Sequence, residues 1–344
     1  MGSLSEQRDM STSSLPGVIA DSDDGLVFAC ILDGKGGAER IGWKELNAWR
    51  PEQGPLWVHL DSGTETTHRW LEETAELSEI SRRILLEEET RPRVLTTDDG
   101  LLAILRGVNL NAGADPDDMV ALRICTGSSR LITIRYRPVM TPRDMLSDLI
   151  DKRCGATSVP ELFVRLTERL TERMNTVVVE LDEALDEVEE DLEERDFSAL
   201  RGQLTTVRQT AVGMRRYIGP QRDALARIHI ERPPWLNREM EILLRESADK
   251  LQRYIEDLDA ARDRAIVIRD EISNRLAEGM NHRMYALSLI AGIFLPLGFL
   301  TGLLGVNVGG MPGVQSTLGF WVTCIMLGLV LVGEVYLFRR LKWF

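Results

Sequence analysis

The chain has 344 residues, 44% of them hydrophobic and 28% charged, with a formal charge of −13. That acidic balance argues against nucleic acid as a partner, which would require a basic face. The four cysteines, Cys30, Cys125, Cys154 and Cys324, lie far apart, form no CxxC pair, and suggest reduced thiols in a cytoplasmic chain.

The opening stretch Met1–Leu15, MGSLSEQRDMSTSSL, lacks the apolar core of a signal peptide and reads as a disordered tail. Residues 16–156 mix short strand and helix signals. Leu56–Leu60 (LWVHL) reads as a buried strand. Arg93–Leu110 reads as a hairpin turning at Asp99-Gly100, and Met119–Tyr136 as a second hairpin around Gly127–Ser129. Helices are expected near 64–73 and 78–89. Asp33–Gly37 (DGKGG) lacks the GxxxxGK[ST] spacing of a phosphate loop and reads as a hairpin turn. The natural expectation is an α/β (α+β) cytoplasmic domain of about 140 residues. No Ser-His-Asp or Cys-His constellation is legible, so no enzyme is expected.

From Thr157 the period changes. Leu162, Leu166, Leu170, Met174, Val177, Leu181, Leu185, Val188 and Leu192 recur in steps of four and three, an apolar stripe on one long helix. A second stripe, Leu200, Leu204, Val207, Ala211, Met214 and Ile218, stops near Gly219-Pro220. Residues 157–232 thus form a helical hairpin. Its stretch Glu180–Asp196 holds 11 acids and one basic residue in 17 positions. Two readings stay open for it: a solvated face, or a rim that attracts cations. A third stripe starts at Leu236 and runs through Leu251, Leu258, Ala265 and Ile272 to Leu276. No proline interrupts it before Pro296, so residues 233–308 read as a stalk helix continuous with a first membrane span.

Met284–Leu304 carries no charge, and Leu318–Phe338 carries one acid, Glu334. At about 1.5 Å per residue each gives roughly 31 Å of helix, enough to cross a bilayer core of about 30 Å. Arg283 precedes the first span and a basic tail, residues 339–344, follows the second. The external loop, 309–317, has no Lys or Arg. The positive-inside rule therefore puts the N-terminal domain and the C-terminus in the cytoplasm. Four basic residues and one acid from Arg283 onward (+3) leave −16 on residues 1–282.

Two spans cannot enclose a path, so a conducting protein needs several copies around an axis. Asn281, Met284, Ser288, Ala291, Leu295, Gly298, Gly302 and Gly305 share one face of the first span. Its polar and small residues differ from a lipid-facing stripe, although glycines also serve close helix packing. Asn307 would then sit at the outer mouth, where a ring of amide oxygens accepts hydrogen bonds from a cation's water shell without trapping the ion. Glu334, an acid at membrane depth, is a candidate proton carrier or gate element; an interfacial pairing with arginines is the structural alternative.

The GVN at Gly305–Asn307 after a long stalk, the short outward loop with MPG, the second span and the basic C-terminus resemble the CorA superfamily of two-span GxN divalent-cation transporters. Magnesium channels of that family read GMN followed by an acidic MPEL-type loop. Here Val306 replaces the methionine and Gly313 stands where an acid would, which looks like the zinc-transporting ZntB branch. The resemblance implies a CorA-like funnel: a homopentamer in membrane lipid that moves Zn2+, with proton coupling left open. Gly305, Val306 and Asn307 take the signature roles. Asn281, Met284 and Leu287 match inner pore positions, and Asp270 a stalk ring.

Residue chemistry alone favours zinc weakly. A dehydrated zinc site wants His, Cys or carboxylate in tetrahedral array. His59, His68, His229 and His282 form no pair at ligand spacing. His282, at the cytoplasmic mouth, is a candidate transient ligand or a solvated interfacial residue. No cofactor is called for, because zinc would be cargo. A magnesium, cobalt or nickel channel is the alternative, and a membrane-anchored signalling or scaffold protein is the alternative of another class.

Overall fold

The structure, a computed structural model, describes residues 24–88, 90–111, 113–193, 197–305 and 316–341. The tail 1–15, the signature residues Val306 and Asn307, most of the loop 309–317, and Lys342–Phe344 lie outside them. The chain forms two compact units, divided between Ile268 and Arg269.

The first unit is built on a seven-stranded mixed sheet. Its elements run β1 (Leu26–Leu32), β2 (Ala38–Ile41), α1 (Trp43–Ala48), β3 (Leu56–Asp61), α2 (Glu65–Glu73), α3 (Glu79–Leu85), β4 (Arg93–Thr97), β5 (Gly100–Gly107), β6 (Val120–Thr126), β7 (Arg130–Arg135) and α4 (Met140–Ile150). Spatial order is β2-β1-β3-β7-β6-β5-β4. All neighbours are antiparallel except β3 and β7, which pair in parallel from Leu56↔Arg130 to Asp61↔Arg135. The three turns read from the sequence each close a hairpin. Gly100 must be glycine: its φ is +123°, and a Cβ there would lie 2.3 Å from the Thr126 carbonyl oxygen. The helix expected at 78–89 ends at Leu85, the last fully buried residue of its apolar side.

Successive residues of β3 face opposite sides. Leu56, Val58 and Leu60 join the core formed with Leu46, Trp70, Leu71, Ile84 and Leu85 of α1 to α3. Trp57 and His59 point the other way, with Phe28 edge-on to Trp57 at 4.7 Å. On that side lie α5 (Val159–Glu190) and α6 (Phe197–Glu231), packed against each other and against β4 to β7. The apolar stripe of the first long helix is the buried side of α5.

The second stripe does not stop at Pro220: α6 runs through it to Glu231. Pro220 removes one helical N–H, but burial of Gln221, Ala224, Leu225 and Ile228 carries the helix onward. Gln221 also completes the sheet. Its Oε1 accepts from the Arg106 N–H (2.6 Å), and its Nε2 donates to the Arg106 carbonyl (3.3 Å). The ladder of β4 along β5 reaches only Ile104, so this side chain takes the place of a strand. Each of those groups, if left unpaired, would cost about 1–3 kcal/mol.

The next helix, α7 (Arg238–Gly305), contributes its residues up to Ile268 to the first unit and the remainder to the second. The second unit is completed by α8 (Thr317–Arg340). Both contain stretches long and apolar enough to cross a membrane, and neither stretch is buried within the chain.

Candidate functional site

A single uncharged run makes Met284–Gly305 of α7 a membrane-compatible helix. One of its hydroxyls turns back on the backbone: Thr301 Oγ1 donates to the Leu297 and Gly298 carbonyls at 3.0 and 3.1 Å. In α8, Thr323 does the same to Gly319 at 3.0 Å. A side chain satisfied this way leaves no orphan donor facing lipid. At the start of α8, Ser316 Oγ accepts from the Leu318 N–H at 3.3 Å.

Burial divides each helix lengthwise. On α7, Leu289, Gly292, Ile293, Pro296, Leu297 and Leu300 are half-buried. On α8, Gly319, Thr323, Leu327, Val330, Glu334 and Phe338 form the corresponding stripe. The stripes meet where Gly292 faces Phe338: a Cβ on Gly292 would sit 3.0 Å from Phe338 Cζ. Glycine lets the two backbones approach here. The contact also fixes direction. A parallel α8 would have to begin about 50 Å back along α7, beyond the roughly 40 Å that an 11-residue connection can reach. The two helices are therefore antiparallel, which sets Glu334, one turn before Phe338, level with Pro296, one turn after Gly292.

The face read from the sequence lies on the other side of α7. Asn281, Met284, Ser288, Ala291, Leu295, Gly298, Gly302 and Gly305 are all exposed, as is Leu287. At 3.6 residues per turn its centre is about 140° from the stripe that meets α8. Nothing lies within 4 Å of a Cβ built on Gly298, Gly302 or Gly305. Packing within one chain thus gives no reason for glycine at these positions. Asp270 is exposed and paired with its neighbour Arg269 at 3.1 Å, and His282 is exposed.

Among the described residues Glu334 differs from the other carboxylates in its setting. Its Oε2 is shielded from solvent and has no hydrogen-bond partner. Among the described residues it makes no ion pair with Arg339 or Arg340. The sequence places Glu334 at membrane depth; the i, i+4 spacing of Gly319, Thr323, Leu327, Glu334 and Phe338 was the available signal that it faces α7.

In the sheet domain, part of the acidic run is neutralised from within. Arg264 of α7 reaches Asp182 (3.1 Å), Asp186 (2.5 Å) and both carboxylate oxygens of Glu189 (2.9 and 2.7 Å). The guanidinium holds the Glu189 carboxyl below its usual range, and Glu189 and Asp186 push Arg264 up. This arginine lies on a different helix, far along the chain from its acids, so no local pattern announced it. Glu180, Glu183, Glu187 and Glu190 stay exposed.

Two cysteines and one histidine are withdrawn into the core, whereas Cys154 and Cys324 are exposed. Burial pushes the Cys30 and Cys125 thiols up to about 12. His59 is fully buried with Nδ1 2.9 Å from Thr133 Oγ1; burial, with Arg135 and Arg143 adding to it, holds it well below the usual imidazole range. Among the described residues, no three His, Cys, Asp or Glu side chains gather into a set that could hold a metal ion.

Comparison with known proteins completes the picture. A family model described as CorA-like Mg2+ transporter protein matches residues 52–340. Divalent cation transporter CmaX of Pseudomonas aeruginosa is 39% identical over 327 residues, spanning 93% of this chain and 97% of that protein. Zinc transport protein ZntB of Pectobacterium carotovorum is 39% identical over 319 residues, spanning 93% and 96%. The solved full-length structure of CmaX superposes with a TM-score of 0.83 at 38% identity, covering 94% of this chain and all of the other.

Proposed function

From the premise that the chain belongs to the CorA-like Mg2+ transporter family, we propose that it carries Zn2+ across the inner membrane in hydrated form, along a path lined by the exposed face of α7 in a ring of identical copies. The observation that carries this reading is the division of α7. One side packs on α8; the other, from Asn281 to Gly305, mixes small and polar residues with the bulkier Met284 and Leu295 and is free of charge. Several such faces around an axis enclose a path that neither repels nor traps a dication. A relative named as a zinc transporter, similar over nearly the whole chain, supports zinc as the cargo. Val306 and Gly313, in place of a GMN methionine and a loop acid, point the same way.

In this reading five copies assemble, with the sheet domain and the C-terminus in the cytoplasm and lipid around α8. Asn281, Met284 and Leu287 narrow the inner end, Asp270 forms a charged ring below it, and Gly305, Val306 and Asn307 form the outer mouth. His282 is a transient zinc contact at the cytoplasmic entrance. The membrane potential suffices as a drive: a dication moving inward through about 100 mV gains roughly 4.6 kcal/mol.

A magnesium, cobalt or nickel channel is the second reading. It is favoured by the lack of a zinc-type ligand set among the described residues, since hydrated divalent ions differ little in size and charge. Purified protein in proteoliposomes, assayed with zinc, magnesium and cobalt with and without a pH gradient, separates the two. We expect zinc flux to exceed magnesium flux by at least tenfold. Equal fluxes would assign the chain to the general divalent class.

A further inference from the structure

One turn of α7 leaves a backbone acceptor without its donor. Pro296 has no N–H, so the carbonyl of Gly292, four residues earlier, loses its helical hydrogen bond. Such a group cannot turn to water inside a bilayer, and something else must satisfy it. Gly292 and Pro296 both belong to the half-buried stripe that meets α8. Gly292 has no side chain to screen its carbonyl, and its Cβ position is already in contact with the Phe338 ring.

The group level with that turn on α8 is Glu334, one turn from Phe338 on the same stripe. Its Oε2 is shielded and unpartnered. An acceptor without a donor and a carboxyl oxygen without a partner therefore lie at one level of the same helix interface. A carboxylate cannot satisfy a carbonyl, because both only accept; a protonated carboxyl can.

We propose that Glu334 is a proton-binding site, and that its protonated carboxyl donates a hydrogen bond across the helix pair to the Gly292 carbonyl left free by Pro296. With the proton bound, the bond ties the proline turn of α7 to α8. With the proton lost, two acceptors face each other and the tie is released. The cation face, with Ala291 and Leu295, lies on the same turns of α7, so loading of this site changes the wall of the path. The nearest charges along α8 are Arg339 and Arg340, five and six residues beyond Glu334, and neither forms an ion pair with it among the described residues. Tyr285 is the only titratable residue of α7 between Met284 and Gly305, with His282 and Arg283 just below it; α8 adds Cys324, Tyr336, Arg339 and Arg340. The inference rests on α7 and α8 spanning a membrane, and not on which cation passes.

Infrared spectroscopy of the full-length protein in proteoliposomes at neutral pH tests it without any transport assay. The wild-type spectrum should contain the carbonyl-stretch band of a protonated carboxylic acid, and Glu334→Gln should lose it. Pro296→Ala returns an amide partner to Gly292 and should shift the band. If Glu334→Gln fails to assemble, isotope labelling of glutamate in the wild-type protein identifies the same band by its displacement. A wild-type spectrum without the band, or a band that Pro296→Ala leaves in place, overturns the proposal.

Discussion

Asn307→Ala should abolish cation flux while the protein still inserts and assembles. In the sequence Asn307 comes two residues after Gly305, the last residue of α7. Its amide oxygen is a neutral acceptor, able to hold a water of the ion's shell without the deep well that a carboxylate would create. In the ring of five proposed above, losing about 1 kcal/mol of hydrogen bonding per copy would remove roughly 5 kcal/mol from the bound ion, more than a thousandfold in occupancy. Alanine adds no bulk and no charge, so assembly should not suffer. Size-exclusion chromatography in detergent and flux on the same preparation check both halves. Wild-type flux from a correctly assembled variant would strip Asn307 of its role.

Ala291→Lys should be nearly as severe, through repulsion and not through loss of a ligand. Ala291 is exposed on the face of α7 opposite α8, about a third of the way along the span from Met284. A lysine about 7 Å from a dication on the axis costs it roughly 1.2 kcal/mol even at the dielectric constant of water. Five copies together give about 6 kcal/mol, or some four orders of magnitude in rate. Phe294→Lys, on a flank of the helix, places the same charge off the path. The expected result is no measurable flux from the first variant and retained flux from the second where it assembles. Equal loss in both would mean that charge anywhere in the span disrupts the protein, and the face assignment would fall.

The two apolar spans were legible because composition over a whole membrane-crossing stretch is a long, redundant signal, and the hairpin at Asp99-Gly100 because only glycine tolerates that backbone. The long amphipathic helices showed in their period. What the sequence hid depends on residues distant in the chain. The parallel pairing of β3 with β7 joins strands separated by five other elements of sheet and helix, and no turn chemistry marks it. The run of α6 past Pro220 contradicts local propensity; it is carried by buried residues beyond the proline and by the bonds of Gln221 to Arg106, 115 residues away. The Arg264 clamp on the acidic helix is equally remote. At the candidate site, the period of α7 gave its exposed face, while the signature roles of Gly305, Val306 and Asn307 came from family resemblance. The contact of Gly292 with Phe338, and with it the setting of Glu334, became visible only once α7 and α8 stood side by side.

The central claim is that one face of α7 lines a water-filled path, and cysteine accessibility tests it most directly. Single cysteines at Met284, Ala291, Leu295 and Gly302, in a background with the four native cysteines replaced, are treated with a water-soluble thiol reagent in proteoliposomes, beside cysteines at Phe294 and Phe299. The account predicts fast modification at the first four positions, slowed by zinc in the path, and slow modification at the phenylalanine positions. Equal rates around the helix, or protection of the first four with reaction at Phe294 and Phe299, would contradict it.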